Sequence, residues 1–314
     1  MNVNTRGAVR ERLATRLGAP SIDIGRKYPH KELDYSASLG LSKTVPLGNM
    51  SFCDIGDNLR LVAVRQFNYK CHWSIPAGEK AGYPNGFFGG RAYFFIITDR
   101  DFNFIRRVEC DFEDLWLLED IRLMIIDENT IQASATDVSR GRDKHRMGVW
   151  YFTMTQNDEN GPKKLVLDSS YIFPVPKEKN YVPIVGTKGA FITDMRDNSF
   201  DMSTIFDLER KCHLYCAGIK AYRGSSPLLE YNGGYVALVH RKNGSNYINA
   251  FAFFDKAMTT CHYSKEFNVC SSISPINFVC GMAVEHGIAI LPFCVNDRYT
   301  HLFKIPLADF ANMR

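Results

Sequence analysis

The chain has 314 residues, 45% of them hydrophobic and 13% aromatic, with 22 Phe and 15 Tyr. This is the composition of a well-packed globular protein and excludes a disordered one. A net charge of +4 on 38 basic and 34 acidic residues, with no long basic run, argues against nucleic acid as a partner, and no apolar stretch reaches the ~18–20 residues that span a bilayer.

The N-terminal residues MNVNTRGAVRERLATRLG are charged and lack the apolar core of a secretory signal. They predict a cytoplasmic protein, although nothing in the sequence separates the cytosol from an organelle reached by another signal; Ala311–Arg314 is not the usual peroxisomal ending. The nine cysteines are an odd number and widely spread, as expected of reduced thiols. Cys212 and Cys216 flank His213, but no second close pair completes a zinc set, so free thiols are the simpler reading. No metal or other cofactor is expected.

Val9, Leu13 and Leu17 recur every four residues among arginines and Glu11, which predicts a short amphipathic helix. Gly18–Leu47 reads as irregular. Beyond it the chain is a succession of short apolar runs: Leu59–Arg65, Ala92–Thr98, Ile121–Ile126, Thr130–Thr136, Gly148–Met154, Leu165–Ile172, Ala190–Thr193, Tyr235–His240, Tyr247–Phe254, Gly287–Phe293 and His301–Ile305. No second helix stands out. The two runs around Asp127-Glu128-Asn129 are divided by three turn-type residues and read as a β-hairpin. Similar turns occur at Asp57-Asn58, Glu128-Asn129, Lys188-Gly189, Gly233-Gly234 and His286-Gly287. Their mean interval of roughly 57 residues suits four-stranded units repeated around an axis. The expectation is an all-β protein, a five-bladed β-propeller over residues 45–314. Residues 1–44 would be an N-terminal extension packed on it. A sandwich or jelly roll ranks second.

Propellers gather their ligand sites where loops converge on the axis, so polar residues at strand ends become candidates. Glu119, Asp120 and Arg122 stand at the entrance of a strand. Asp120 and Arg122 are two apart, so on a strand they face the same side. Asn49, Arg65, Lys179, Arg196, His240, Tyr247 and Asp297 also border apolar runs. Each alone reads as a solvated strand end; the recurrence is the signal. Phe67, Tyr69, Trp73, Phe87, Phe88 and Trp116 are candidate stacking surfaces for a sugar, though most aromatics in such a chain are core.

Several of these segments carry a resemblance. Glu119-Asp120-Ile121-Arg122, Lys179-Asn180-Tyr181-Val182-Pro183, Gly224-Ser225-Ser226-Pro227, Gly233–His240 and Gly281-Met282-Ala283 with Val295-Asn296-Asp297 occur in order from about residue 45 to 310. The chain resembles glycoside hydrolase family 130 and the related β-1,2-mannosyltransferase/phosphorylases of glycosyltransferase family 108. It departs from them at Met50, where the family has Pro, at Tyr181, where it has Trp, and at Asn277, where it has Glu.

The resemblance implies a five-bladed propeller and an inverting mannosyl transfer between mannose 1-phosphate, or GDP-mannose, and β-1,2-mannooligosaccharides. It implies Asp120 as catalytic acid. It also implies Asn49, Arg65 and Asp297 around the mannosyl ring, and Lys179, His240 and Tyr247 around inorganic phosphate. Arg196 is added to that pocket on its position alone. The chemistry agrees with the residue types. A phosphorylase needs one acid plus cations and donors for phosphate, whereas an inverting hydrolase needs a second carboxylate to activate water. No phosphate-cradling glycine loop of a nucleotide fold is present, so any nucleotide would sit at the propeller mouth. Two alternatives stay open on sequence: a β-mannoside hydrolase of the same fold, and a non-catalytic propeller that binds glycans or proteins. The sequence does not specify an oligomeric state.

Overall fold

The computed structural model describes residues 22–42, 46–67, 92–139, 144–174, 180–193, 202–207, 212–217, 222–243, 246–268, 277–295, 297 and 299–311. The predicted helix over Val9–Leu17 lies outside them, as do Lys179, Arg196, Tyr69, Trp73, Phe87 and Phe88.

The chain opens with β1 (Ile22–Asp23), one helical turn α1 (Ile24–Lys27) and β2 (His30–Leu33). This segment was expected to be irregular. Its third part is a strand because a partner at the other end of the chain pairs with it. An antiparallel meander follows: β3 (Leu47–Asp54), β4 (Leu59–Gln66), β5 (Ala92–Asp99) and β6 (Phe104–Cys110). After a 3-10 turn at Glu113–Leu117 comes a second meander: β7 (Leu118–Ile125), β8 (Thr130–Asp137), β9 (Arg146–Thr155) and β10 (Lys164–Ile172). A short parallel pairing of β6 with β10 joins the two into one eight-stranded sheet.

A four-stranded sheet holds β11 (Val182–Pro183), β12 (Ala190–Thr193), β13 (Met202–Asp207) and β14 (Cys212–Ala217). The next sheet has β15 (Arg223–Gly224), β16 (Leu229–Tyr231), β17 (Gly234–Asn243), β18 (Asn246–Phe254), β19 (Cys261–Tyr263) and β20 (Phe267–Asn268), and β1 adds to it. The last has β21 (Asn277–Phe278), β22 (Ala283–Glu285), β23 (Ile288–Val295) and β24 (Tyr299–Pro306), and β2 adds to it. One more helical turn, α2 (Ala308–Ala311), follows. No helix among the described residues is long and apolar enough to cross a membrane. The fold is all-β, as expected.

The five turns singled out by sequence each join two strands of one hairpin: β3–β4, β7–β8, β11–β12, β16–β17 and β22–β23. At the second of them Asp127 Oδ1 accepts from Asn129 N (3.0 Å) and Thr130 N (2.8 Å), while Ile126 N donates to Thr130 O (2.9 Å). The side chain thus replaces the ladder where it ends.

The strands read as continuous apolar runs because both of their faces are covered. Leu61 and Ala63 of β4 pack with Leu123, Ile131 and Phe152 of the second meander. The intervening Val62 and Val64 pack with Ile290 and Leu302 of the last sheet. Met147 and Val149 meet Tyr181; Val182 and Ile192 meet Ala237 and Val239; Val236, Leu238 and Phe251 meet Leu291, Phe293 and Phe303. Each sheet therefore packs on the next, and the last packs on the first.

Two further ties join the ends of this order. β2 pairs antiparallel with β24, His30 facing Phe303. Fully buried Arg60 lies between the rings of Phe52 (5.1 Å) and Phe102 (4.7 Å). It donates to Asp54 Oδ1 (3.0 Å) and to Glu285 of the last sheet. Desolvating a guanidinium is tolerable here because two carboxylates and two ring faces receive it.

Phe267 shows how much one side chain carries. It is fully buried, with ring centroids 5.2 Å from Phe251 and 5.1 Å from Phe310. Phe267→Ala removes a ring between β18, β20 and α2, and should cost about 3–5 kcal/mol. Urea unfolding followed by tryptophan fluorescence reads this as a lowered midpoint; Phe267→Leu should lose distinctly less.

Candidate active site

Asn49 and Asp120 hold equivalent places in successive meanders. β3 shifts register between Gly48 and Ser51, and β7 between Glu119 and Arg122. Each shift is a bulge in the first strand of its meander. Asn49 (φ 43°) and Asp120 (φ 58°) both adopt the left-handed backbone at it. That conformation costs a non-glycine residue free energy, least for Asn and Asp. Its effect is to turn one polar side chain out of the alternation.

The bulge corrects the expectation that Asp120 and Arg122 share one face. Asp120 turns toward β3 and β4. Its Oδ1 accepts from Asn49 Nδ2 (2.8 Å) and from Arg65 Nη1 (3.0 Å). The second guanidinium nitrogen of Arg65 donates to Glu119 Oε1 (3.4 Å). Arg65 is 4% exposed, Asp120 14% and Glu119 26%, so the carboxylates stand at a rim and their cation lies below it. Among the described residues both donors converge on Oδ1 of Asp120, and Oδ2 is left for another partner. These residues are the salt-bridged strand end that the sequence suggests, and the cation that pairs with them is buried beneath them.

Arg122 points the other way and is fully buried. Its Nη1 donates to the Asp120 carbonyl (3.0 Å), and its Nη2 to Asn180 Oδ1 (3.0 Å) and Gly224 O (3.0 Å). Nε donates to Ser225 O (3.2 Å). One cation thus ties the second meander to the two sheets that follow. Asn180 is itself left-handed (φ 63°). Gly224 N donates to Asn180 O (3.0 Å), and a Cβ on Gly224 would lie 2.7 Å from that oxygen, so only glycine fits this approach.

The second group of candidates lies on β17 and β18. His240 is buried; its ring centroid is 5.4 Å from Tyr247 and 5.0 Å, edge-on, from Phe278 of β21. His240 Nδ1 is 2.7 Å from Ser225 Oγ. The strand that was expected to close at His240 continues to Asn243, so this histidine sits within the ladder. Asp297 lies in the turn between β23 and β24, again left-handed (φ 52°).

The structure therefore brings Asn49, Arg65 and Asp120 into direct contact, and His240 with Tyr247. Arg122, Asn180 and Ser225 are residues that sequence reasoning noticed in motifs but gave no role. For Arg122 the signal available was a charged residue inside an apolar run; Asn180 and Ser225 offered none. Phe67 is not an open sugar platform: it is buried beneath the Arg65 guanidinium, 4.9 Å from the ring centre. Trp116 is 37% exposed in the 3-10 turn.

Burial, with the nearby Asp120 charge adding to it, holds the Cys280 thiol well above its usual range. Burial likewise pushes the Tyr93 phenol up, against the opposing pull of Arg65. Both groups lie close enough to Asp120 to feel its charge and stay protonated. Among the described residues no three His, Cys, Asp or Glu side chains gather as a metal site, and Cys53, Cys110, Cys261, Cys280 and Cys294 are free thiols.

No protein-family model matches the chain, and no curated protein matches it in sequence. Solved structures do share its fold. The β-1,2-mannobiose phosphorylase from Listeria innocua, in complex with β-1,2-mannobiose, superposes with a TM-score of 0.57 at 14% identity, over 84% of this chain and 90% of that one. A protein of glycoside hydrolase family 130, the mannoside phosphorylases that include hydrolases of β-1,2 mannosidic linkages in Candida mannan, gives 0.52 at 12%, over 93% and 92%. A family 117 glycoside hydrolase from the marine bacterium Zobellia galactanivorans gives 0.53 at 10%, over 91% and 94%. The likeness is one of fold, and that fold serves more than one family.

Arg122→Met keeps an unbranched apolar stem and removes the guanidinium with its five donors, leaving four acceptors without them. We expect a loss of about 3–5 kcal/mol, read as a lower thermal midpoint in a calorimeter. A variant as stable as the parent would show that this cation does not hold the sheets together.

Proposed function

We propose that the protein is an inverting β-1,2-mannoside phosphorylase and mannosyltransferase. It would move a mannosyl group reversibly between mannose 1-phosphate, or GDP-mannose, and β-1,2-linked mannooligosaccharides. The observation that carries this reading is the carboxylate of Asp120, pinned through one oxygen by Asn49 and Arg65 on a left-handed bulge residue, with its other oxygen available at the rim. We read the two meanders and the three sheets that follow as five blades around one axis. Their cyclic packing and the pairing of β2 with β24 support this. Residues 45–314 are then the catalytic propeller and residues 1–44 an extension that lends it two strands, β1 and β2.

In phosphorolysis an oxygen of inorganic phosphate attacks the anomeric carbon while the glycosidic C–O bond breaks on the opposite face. The departing oxygen takes a proton that originates on Asp120; in the family this chain resembles, it passes through the 3-hydroxyl of the mannosyl ring. Run backwards, the acceptor hydroxyl attacks mannose 1-phosphate, phosphate leaves, and Asp120 receives the proton. Phosphate is already an anionic nucleophile, so one carboxylate is enough. Arg65, fixed as a fork between Asp120 and Glu119, keeps that carboxylate at a set angle to the ring. Lys179, Arg196, His240 and Tyr247 are the proposed phosphate and donor set, and Asp297 completes the proposed mannosyl subsite.

One observation favours a second reading. Glu119, more exposed than Asp120, is held by the same guanidinium. A second carboxylate this close would let water replace phosphate, as in a hydrolase.

The test is phosphate release from mannose 1-phosphate with β-1,2-mannobiose as acceptor. We expect release with chain extension, and a fall of about 10²–10⁴-fold in Asp120→Asn without change in the far-ultraviolet spectrum. Cleavage of β-1,2-mannobiose at one rate with and without phosphate would move the assignment to the hydrolase, and Glu119→Gln should then be equally damaging. No product from either mannose 1-phosphate or GDP-mannose would leave the non-catalytic propeller.

A further inference from the structure

We infer that Ser225 is a positioning residue that fixes His240 as the tautomer protonated on Nε2, so that the far side of the ring presents an N–H donor to the transferred phosphate. This rests on the reading of His240 as part of the phosphate pocket.

Both residues are buried, Ser225 fully. The Ser225 hydroxyl lies 2.7 Å from His240 Nδ1, and no other partner for that hydroxyl occurs among the described residues. A buried O–H left without an acceptor costs about 1–3 kcal/mol. If Nδ1 carried a proton it would donate to Ser225 Oγ, and the hydroxyl hydrogen would have nowhere to go. The arrangement that satisfies both groups has Ser225 donating to a bare Nδ1, which places the ring proton on Nε2. In that tautomer Nε2 carries the ring's hydrogen-bond donor, the polarity a phosphate oxygen requires.

The hydroxyl is held in place from several sides. Ser225 N donates to Leu238 O (2.9 Å), and Leu238 N to the neighbouring Ser226 Oγ (2.8 Å). These bonds dock the serine pair onto β17 two residues before His240. From the other side Arg122 donates to Ser225 O and Gly224 O. Phe278 and Tyr247 flank the imidazole and limit its rotation. Arg122 also holds the Asp120 carbonyl. A single guanidinium thereby sets the spacing between the acid of the reaction and the serine that orients the histidine.

The experiment has two arms on the full chain. In the first, protein labelled with nitrogen-15 in its histidine rings is examined by long-range proton–nitrogen correlation, with His240→Asn to assign the signals. The expected His240 pattern has the proton on Nε2, lost or mixed in Ser225→Ala and restored in Ser225→Thr. A proton on Nδ1 in the parent protein overturns the inference, and this arm needs no turnover. In the second, phosphorolysis of β-1,2-mannobiose is followed at varied phosphate. Ser225→Ala should raise the KM for phosphate about tenfold with a smaller change in kcat, and Ser225→Thr should recover it. An unchanged KM for phosphate despite an altered tautomer overturns the link to phosphate. If the parent protein turns over no mannoside, the functional reading fails by itself, and the nitrogen spectrum still decides whether Ser225 sets the ring.

Discussion

The structure depends on how one buried cation is satisfied. Among the described residues Arg122 has no carboxylate as a hydrogen-bond acceptor; three backbone carbonyls and the amide oxygen of Asn180 receive it. Such an arrangement trades the hydration of a guanidinium for fixed dipoles in a low-dielectric interior, where each is worth more than in water. Four acceptors from four different residues are aligned only when the second meander and the next two sheets are all in place. The bond set is therefore cooperative. Apolar packing joins neighbouring sheets pairwise, but Arg122 reaches beyond its immediate neighbour to Gly224 and Ser225.

The same device explains how the proposed catalytic carboxylate, Asp120, can sit on a strand. A regular strand would send Asp120 and Arg122 to one side, where the buried cation would capture the carboxylate. The bulge separates them by giving the backbone a left-handed residue at Asp120. The cost of that conformation, of order 1–2 kcal/mol, is offset by the bonds on both sides of the residue: its carbonyl to Arg122, its carboxylate to Asn49 and Arg65. Asn49 carries the same backbone at the same place in the preceding meander, so the donor and the acceptor of one hydrogen bond are a repeated feature of the fold.

Much of the fold was legible because the strands are buried on both faces and so appear as plain apolar runs. All eleven runs named from sequence are strands, and the five turns join hairpins. Strands without that signature were missed. β6 (Phe104–Cys110) carries two arginines and a glutamate. β3 (Leu47–Asp54) is diluted by Gly48, Asn49 and Ser51. β2 is a strand only through its partner. The site was legible as residue types and less so as directions. Asp120, Asn49 and Arg65 were selected as neighbours of apolar runs, and they do meet. The alternation rule failed at Asp120 because periodicity carries no trace of a one-residue insertion in the ladder. The roles of Asn180 and Ser225 depend on contacts between distant sheets, which a single sequence does not encode in any local pattern.

The pairing of β2 with β24 has a consequence for the order of assembly. His30 and Phe303 face each other although they stand near opposite ends of the chain. On a ribosome, β2 emerges long before β24 and waits with an unfilled edge until that strand has been made. The intermediate packing of Val62 and Val64 against Ile290 and Leu302 is postponed for the same reason. Contacts of such long sequence separation slow folding and expose the nascent chain to association with others. A strand made among the first of those described is thus fastened by one of the last, and the delay falls during biosynthesis.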